Sequence, residues 1–198
     1  MARTRNEETY NETRTNLLEV GMELIRQGSY NSVGINDVLR VSGAPKGSFY
    51  HYFSSKEEFG LEVVKHYHAL QLDGAKQVLQ GSAPAIDRLH LFFKTALKEF
   101  ESRQFRHGCL MCNLSTELAD DQPVFQRLLK QHWKALSTVI AGCIAELDKA
   151  DIGLAHLTNK EAGDWLINNW SGALTRMKAA GSAEPLRLFM KSIFKVKA

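Results

Sequence analysis

Residues 42–59 read Ser42-Gly43-Ala44-Pro45-Lys46-Gly47-Ser48-Phe49-Tyr50-His51-Tyr52-Phe53-Ser54-Ser55-Lys56-Glu57-Glu58-Phe59. A helical pattern carrying Ile35, Val38, Leu39 and Val41 runs into this stretch and breaks at Ser42-Gly43-Ala44. Pro45 suits the first position of a new helix, where its missing amide hydrogen costs nothing. That helix is short, ending near Tyr52 or Phe53, because Ser54 and Glu57 spell a capping box that opens the next one. Helix, glycine turn and short helix is the layout of a helix-turn-helix, whose second helix enters the major groove of DNA. The composition suits that task. Lys46, Ser48, Tyr50 and His51 can bond phosphates or base edges, and Gly47 lets the backbone approach closely. Phe49 and Phe53, four apart, share a face and can pin the unit to a core. An ordinary surface helix could carry the same residues, so the layout alone leaves both readings open.

Upstream, Thr13 to Gln27 places Leu17, Leu18, Leu24 and Ile25 on one helical stripe, and Gly28 is a natural stop. Downstream, a long helix carries Phe59, Val63, Val64, Tyr67 and Leu70 towards Gln80. After Pro84 a helix carries Leu89, Phe92, Phe93, Leu97 and Phe100, then a short one carries Leu110, Leu114 and Leu118. Another runs from about Val124 to Leu147. Thr158 and Glu161 form a second capping box, opening a helix with Trp165, Leu166 and Trp170. Glu184-Pro185 starts the last helix, with Leu186, Phe189, Met190 and Ile193. No strand-like alternation interrupts this, so the expected fold is all-α with about nine helices.

A 198-residue chain with 44% apolar and 24% charged residues is an ordinary globular protein. No apolar run approaches the roughly 20 residues a membrane helix needs. The start, Met-Ala-Arg-Thr-Arg-Asn-Glu-Glu, has no apolar stretch behind its basic residues, so it does not read as a secretory signal, and a cytoplasmic location is expected. Cys109, Cys112 and Cys143 are an odd set that argues against a disulfide scaffold. The net charge of +3 is mild, and residues 1–60 hold seven Lys and Arg against eight Asp and Glu. Attraction to DNA must therefore come from segregation, with acids on the outer face of the first helix and bases at the groove. Salt sensitivity should be limited to a few phosphates per subunit. Arg3 and Arg5 can form a minor-groove arm or belong to a disordered tail.

The stretch 42–59 resembles the signature of TetR-family regulators, and Gly28-Ser29-Tyr30-Asn31-Ser32-Val33 with Ile35-Asn36-Asp37-Val38 resembles the family's first two helices. The resemblance implies a helix-turn-helix DNA-binding domain at 1–57 and a helical ligand-sensing and dimerisation domain at 58–198. It implies DNA contacts at Asn36, Lys46, Gly47, Ser48, Tyr50, His51 and Lys56, with Lys56 meeting a phosphate. Gly34 departs from the threonine or serine cap common in the family, a loss of a few tenths of a kcal/mol at most. Two copies are needed to span two half-sites, so a homodimer on double-stranded operator DNA is expected.

Arg106-His107-Gly108-Cys109-Leu110-Met111-Cys112-Asn113-Leu114-Ser115-Thr116-Glu117 is the second informative stretch. Gly108 breaks the chain, and Cys109 stands at the start of the following helix, where unpaired amides and a partial positive charge favour thiolate. A small buried apolar residue is the other reading of Cys109. Gly-Cys-Leu followed by Asn-Leu-Ser and Glu resembles a TetR branch that holds the NemR-type, electrophile-responsive repressors and the acrylate-responsive ones. That branch implies Cys109 as the sensing residue. Trp170-Ser171-Gly172-Ala173-Leu174-Thr175-Arg176-Met177-Lys178 resembles the segment that carries a lysine near the cysteine, which implies Lys178.

Cys112 completes a Cys-x-x-Cys, which metal or dithiol chemistry could use. No second Cys/His pair is evident for a four-ligand zinc site, so neither metal nor cofactor is expected. Cys143 reads as core. Phe92, Phe93, Trp133 and Trp170 can line a ligand cavity or simply fill the interior. The expected function is a transcriptional regulator, a repressor released by a small molecule or by modification of Cys109. The alternatives are a purely non-covalent pocket ligand and a small helical enzyme with a reactive cysteine. No base, orienting partner and oxyanion hole are evident for that enzyme, so none is expected.

Overall fold

The computed structural model describes residues 2–45 and 47–194, with side chains from Glu7 onward. Among them are nine α-helices, one 3-10 turn and no strand. In chain order these are α1 (Ala2–Gln27), α2 (Ile35–Ser42), α3 (Phe49–Tyr52), α4 (Lys56–Leu79) and α5 (Ala85–Ser102). Then follow α6 (Leu110–Leu118), α7 (Pro123–Ile144), the turn Lys149–Ile152, α8 (Asn159–Ala180) and α9 (Glu184–Ile193). The chain forms two compact units, one of residues 1–68 with 113–129, the other of residues 69–112 with 130–198. No described helix is long and apolar enough to cross a membrane.

In the first unit Leu17, Leu18 and Ile25 of α1 are buried as their spacing predicts, while Leu24 is half-buried. Gly21 lies on the same face. A Cβ there would stand 2.2 Å from the Phe59 ring, so only glycine lets α4 approach α1 this closely. The ring cannot swing away, because Phe49 and Phe53 hold it at centroid distances of 5.2 and 5.0 Å. Gly21→Val is therefore expected to destabilise this unit by about 1–3 kcal/mol through overpacking. An unchanged urea midpoint would contradict the packing described.

The caps show how local chemistry sets the boundaries. α2 starts at Gly34, which has no side chain to offer, yet the Asp37 carboxylate accepts from the Gly34 N–H at 3.1 Å. Half of a capping box thus remains, offsetting the weakness expected from glycine. α2 stops at Gly43, whose φ of 69° is a left-handed cap. The α4 cap sits one residue later than the sequence pattern suggests. Ser55 Oγ accepts from the Glu58 N–H at 3.0 Å, and Glu58 accepts from the Ser54 N–H at 2.7 Å. Phe53 leaves α3 in an extended conformation, which uses Ser54 in the exit and moves the cap to Ser55.

In the second unit α8 opens with the expected box, Thr158 Oγ1 accepting from the Glu161 N–H at 3.2 Å and Glu161 accepting from the Thr158 N–H at 2.8 Å. Gly163 then lets α8 cross α7 closely, since a Cβ there would lie 2.7 Å from the Ser137 carbonyl oxygen. Ser137 donates to the Asp164 carboxylate beside that crossing. Arg88 is buried, donating to the Leu79 carbonyl and pairing with Glu146. The last helix packs within its own unit. Leu186, Phe189 and Ile193 are buried within their own unit, and Phe189 packs against Phe93 and Trp170. Its exposed apolar side chain is Leu188, at 59%.

Candidate functional site

The reading segment is built on an aromatic anchor. Phe49 and Phe53 are buried and pack with Phe59, as their four-residue spacing predicts. This fixes the rotation of α3 and turns Tyr50 and His51 outward. Tyr50 is 65% exposed, and His51 is exposed beside it. The helix proper is one turn long, extended backwards by a turn in which Ser48 N–H donates to the Pro45 carbonyl at 2.8 Å. Ser48 is half-buried, with its hydroxyl on the same carbonyl at 2.7 Å. Gly47 and Asn36 are exposed, Asn36 in the first turn of α2. Lys46 and the Arg3 and Arg5 side chains lie outside the described residues.

α1 braces the reading segment from behind. Asn16 Nδ2 donates to the Ser42 carbonyl at 3.1 Å, and the Tyr10 ring stacks on Tyr52 at 4.5 Å. The Tyr10 hydroxyl donates to the His51 carbonyl at 3.4 Å. Glu7, Glu8, Glu12 and Glu19 are exposed on α1. Arg14, Arg26 and Arg40 are each held in an ion pair, with Glu62, Glu23 and Asp37 respectively.

Sequence reasoning assigned Glu117 no role, and it is central to this unit. Its carboxylate, on the last turn of α6, accepts from the backbone N–H of Tyr30 at 3.0 Å and of Asn31 at 2.8 Å. Those amides belong to the turn joining α1 to α2. Lys56 closes the same turn from α4. Its Nζ donates to the Asn31 carbonyl at 3.2 Å and stands 4.8 Å from the Tyr30 ring centre. The Tyr30 ring meets Phe125 of α7 at 5.1 Å and fits over Gly60, where a Cβ would be 2.4 Å away. Burial, then the charges of Glu57 and Glu117, push the Tyr30 phenol above its ordinary pKa and keep it neutral. The residues in contact are separated by 86 and 87 positions, a pairing that no local pattern reveals.

The other expected site lies in the second unit. Cys109 is 6% exposed and directly precedes α6, while half-buried Cys112 is on the first turn. The two sulfurs are in hydrogen-bonding contact, and Ser171 of α8 bonds Cys112 as well. The bond to Cys109, then burial, push the Cys112 pKa above the ordinary thiol range. The segment leading in is strained. Gln104, Phe105 and His107 have φ of 54°, 60° and 69°, in a region that costs a non-glycine residue about 1–3 kcal/mol. Gly108 follows at 63°. Lys178 is exposed on the last turn of α8, seven residues or roughly 10 Å of helix beyond Ser171.

Cys143 behaves as core. Its thiol donates to the Ala85 carbonyl at 3.4 Å, and burial raises its pKa. Of the four aromatic residues expected to line a cavity, Phe93 and Trp170 meet at 5.1 Å in a buried cluster with Phe189. Phe92 is half-buried against Phe93, and Trp133 packs edge-on to His132 instead. No group of three or more His, Cys, Asp or Glu suited to a metal occurs among the described residues.

An aromatic-anchored short helix, presented outward after a left-handed glycine turn, defines a DNA-binding protein of the helix-turn-helix class. Residues 17–63 match the family model for bacterial regulatory proteins of the tetR family, and residues 85–193 match that for the tetracyclin repressor-like C-terminal domain. The chain belongs to the TetR family of transcriptional regulators. It is 32% identical over 180 residues to the transcriptional regulator AcuR of Cereibacter sphaeroides, covering 89% of this chain and 81% of that one. It is 31% identical over 189 residues to the transcriptional repressor NemR of Escherichia coli, covering 91% and 92%. A regulatory protein TetR from Rhodobacter sphaeroides has the same fold, with a TM-score of 0.82 and 28% identity over 90% of this chain and 97% of that one.

Proposed function

We propose that this chain is a cytoplasmic repressor that binds operator DNA as a homodimer and is released when a small molecule or electrophile acts at Cys109. Residues 1–57 are the DNA-binding domain, and 58–198 sense and dimerise. The observation that carries the reading is α6. Its first turn holds Cys112, three residues after Cys109, and its last turn holds Glu117 on the amides that join α1 to α2. A change at one end of this nine-residue helix bears on the backbone that positions the reading segment at the other. The coupling required is modest, about 1–3 kcal/mol between the two states. Asn36, Lys46, Gly47, Ser48, Tyr50 and His51 contact DNA in this account, and Lys56 exchanges its carbonyl contact for a phosphate. Lys178 supplies positive charge on the sensor side.

The test is labelling of the native protein with limiting N-ethylmaleimide, read by mass spectrometry, together with operator binding before and after. Cys109 is expected to react ahead of Cys143, because it stands at the start of α6 while burial pushes the Cys143 thiol up in pKa. Labelling is expected to weaken operator binding. If Cys109 stays unlabelled while Cys109→Ser is released by the same inducer as wild type, the effector is an ordinary pocket ligand.

The dimer surface follows from what α8 and α9 leave uncovered. Trp165 and Leu188 are the large exposed apolar residues of those helices. Dimerisation through α8 and α9 would bury them. Trp165→Asp with Leu188→Asp is expected to give a folded monomer by light scattering. An unaltered dimer would place the interface elsewhere.

A further inference from the structure

Outside the reading segment, the feature with most chemistry is the pair of thiols at the start of α6, of which the proposed function uses one. We infer that Cys112 is a resolving cysteine, which converts oxidised Cys109 into a reversible Cys109–Cys112 disulfide across the first turn of α6. The inference rests on the reading of Cys109 as the sensor and adds the chemistry by which that sensor is reset.

Three observations support it. The sulfurs already touch by hydrogen bonding, so the resolving group needs no large movement to reach its target. Cys109 directly precedes α6 and Cys112 stands three residues on, and residues three apart are neighbours on a helix, about 5–6 Å between Cβ atoms. A disulfide needs Cβ atoms about 3.5–4.5 Å apart, so closing the bond must tighten the first turn. The backbone before Cys109 already runs through four residues of positive φ, three of them not glycine. Such a segment is held in place by its surroundings and gives way when the turn beside it changes. The bond would thus be both a chemical record of oxidation and a mechanical change at the head of α6.

The electron balance requires one two-electron oxidant, a peroxide or hypochlorous acid. With a peroxide, the Cys109 thiolate attacks an oxygen, the O–O bond breaks, and the sulfur is left as sulfenic acid while hydroxide or an alkoxide departs. The Cys112 sulfur then attacks the Cys109 sulfur, the S–O bond breaks, and the Cys112 proton leaves with the hydroxyl as water. With hypochlorous acid, the Cys109 thiolate attacks chlorine, the O–Cl bond breaks and hydroxide leaves; the Cys112 sulfur then displaces chloride from Cys109, and its proton goes to the hydroxide as water.

The test treats the full-length protein with one equivalent of hydrogen peroxide per chain, with dimedone as the sulfenic acid trap. Wild type is expected to lose two hydrogens in the peptide holding residues 109–112, to give no dimedone adduct, and to recover operator binding fully with dithiothreitol. Cys112→Ser is expected still to oxidise at Cys109. It should instead carry a dimedone-reactive Cys109 and, with excess peroxide, proceed to sulfinic acid and lose that recovery. Cys112→Ala serves the same purpose if the serine variant folds poorly. Accumulation of trapped Cys109 in wild type would overturn the inference. So would a two-hydrogen loss that persists in Cys112→Ser, which would mean that the sulfur had bonded to a nitrogen. A Cys109 that peroxide and N-ethylmaleimide both leave untouched would overturn the sensor reading with it.

Discussion

Tyr50→Ala is expected to abolish specific operator binding at concentrations where wild type is saturated, while leaving a folded dimer. The side chain is 65% exposed, so its loss leaves the core intact. The rotation of α3 is set by Phe49 and Phe53, which the variant keeps. Loss of a base or phosphate contact costs about 1–3 kcal/mol. A dimer loses it twice, so affinity should fall by at least roughly thirty-fold. Lys46→Ala is expected to behave differently, weakening binding to every sequence alike and reducing the salt dependence by about one counterion per protomer. With Arg14 and Arg26 paired to Glu62 and Glu23, few cations of this unit are left for phosphates among the described residues, and the wild-type salt slope should be shallow. Unchanged affinity in Tyr50→Ala, measured by fluorescence anisotropy, would mean that another surface reads the DNA.

Glu117→Ala carries the second large effect. It strips two amides, those of Tyr30 and Asn31, of a charged acceptor. Hydrogen bonds to charged groups are worth about 1.5–3 kcal/mol each. Asn31 is exposed, so water can replace one of the two, and a net loss of about 1.5–3 kcal/mol remains. For a chain of this size that is a fall in Tm of roughly 3–12 °C. Operator affinity should fall with it, because the turn that positions α2 loosens although no DNA contact has been removed. Glu117→Gln should sit between, since an amide can accept one of the two bonds but offers a donor to the other. If Glu117→Ala matches wild type in both Tm and operator affinity, α6 does not support the reading segment.

These two residues mark what the sequence could and could not disclose. Tyr50 was legible because α3 is governed by local rules: a glycine turn, a proline start and two phenylalanines four apart. Helix existence along the rest of the chain followed from periodicity in the same way. Boundaries were less secure, as the α4 cap shows, because Ser54 and Ser55 both precede a glutamate at the right spacing and only the exit of Phe53 from α3 decides between them. Apolar spacing on α9 announced a buried face but not its partner. Leu186, Phe189 and Ile193 are satisfied inside their own unit, leaving Trp165 and Leu188 as the exposed pair. Glu117 was invisible because its partners are backbone amides far away in the chain, and backbone groups leave no signature in side-chain patterns. The Cys109–Cys112 spacing was legible as a motif. Contact between the two sulfurs, and the strain leading into them, was not.

The central claim is that this chain recognises a particular DNA sequence as a dimer. A gel-shift of the purified full-length protein on the duplex upstream of its own coding sequence, with an equal-length scrambled duplex as competitor and native mass of the shifted species, tests it most directly. The account predicts retention that survives excess scrambled DNA, an even number of chains per duplex, and loss of the shifted band in Tyr50→Ala. Binding that scrambled DNA competes away equally, or a single chain per duplex, would contradict it.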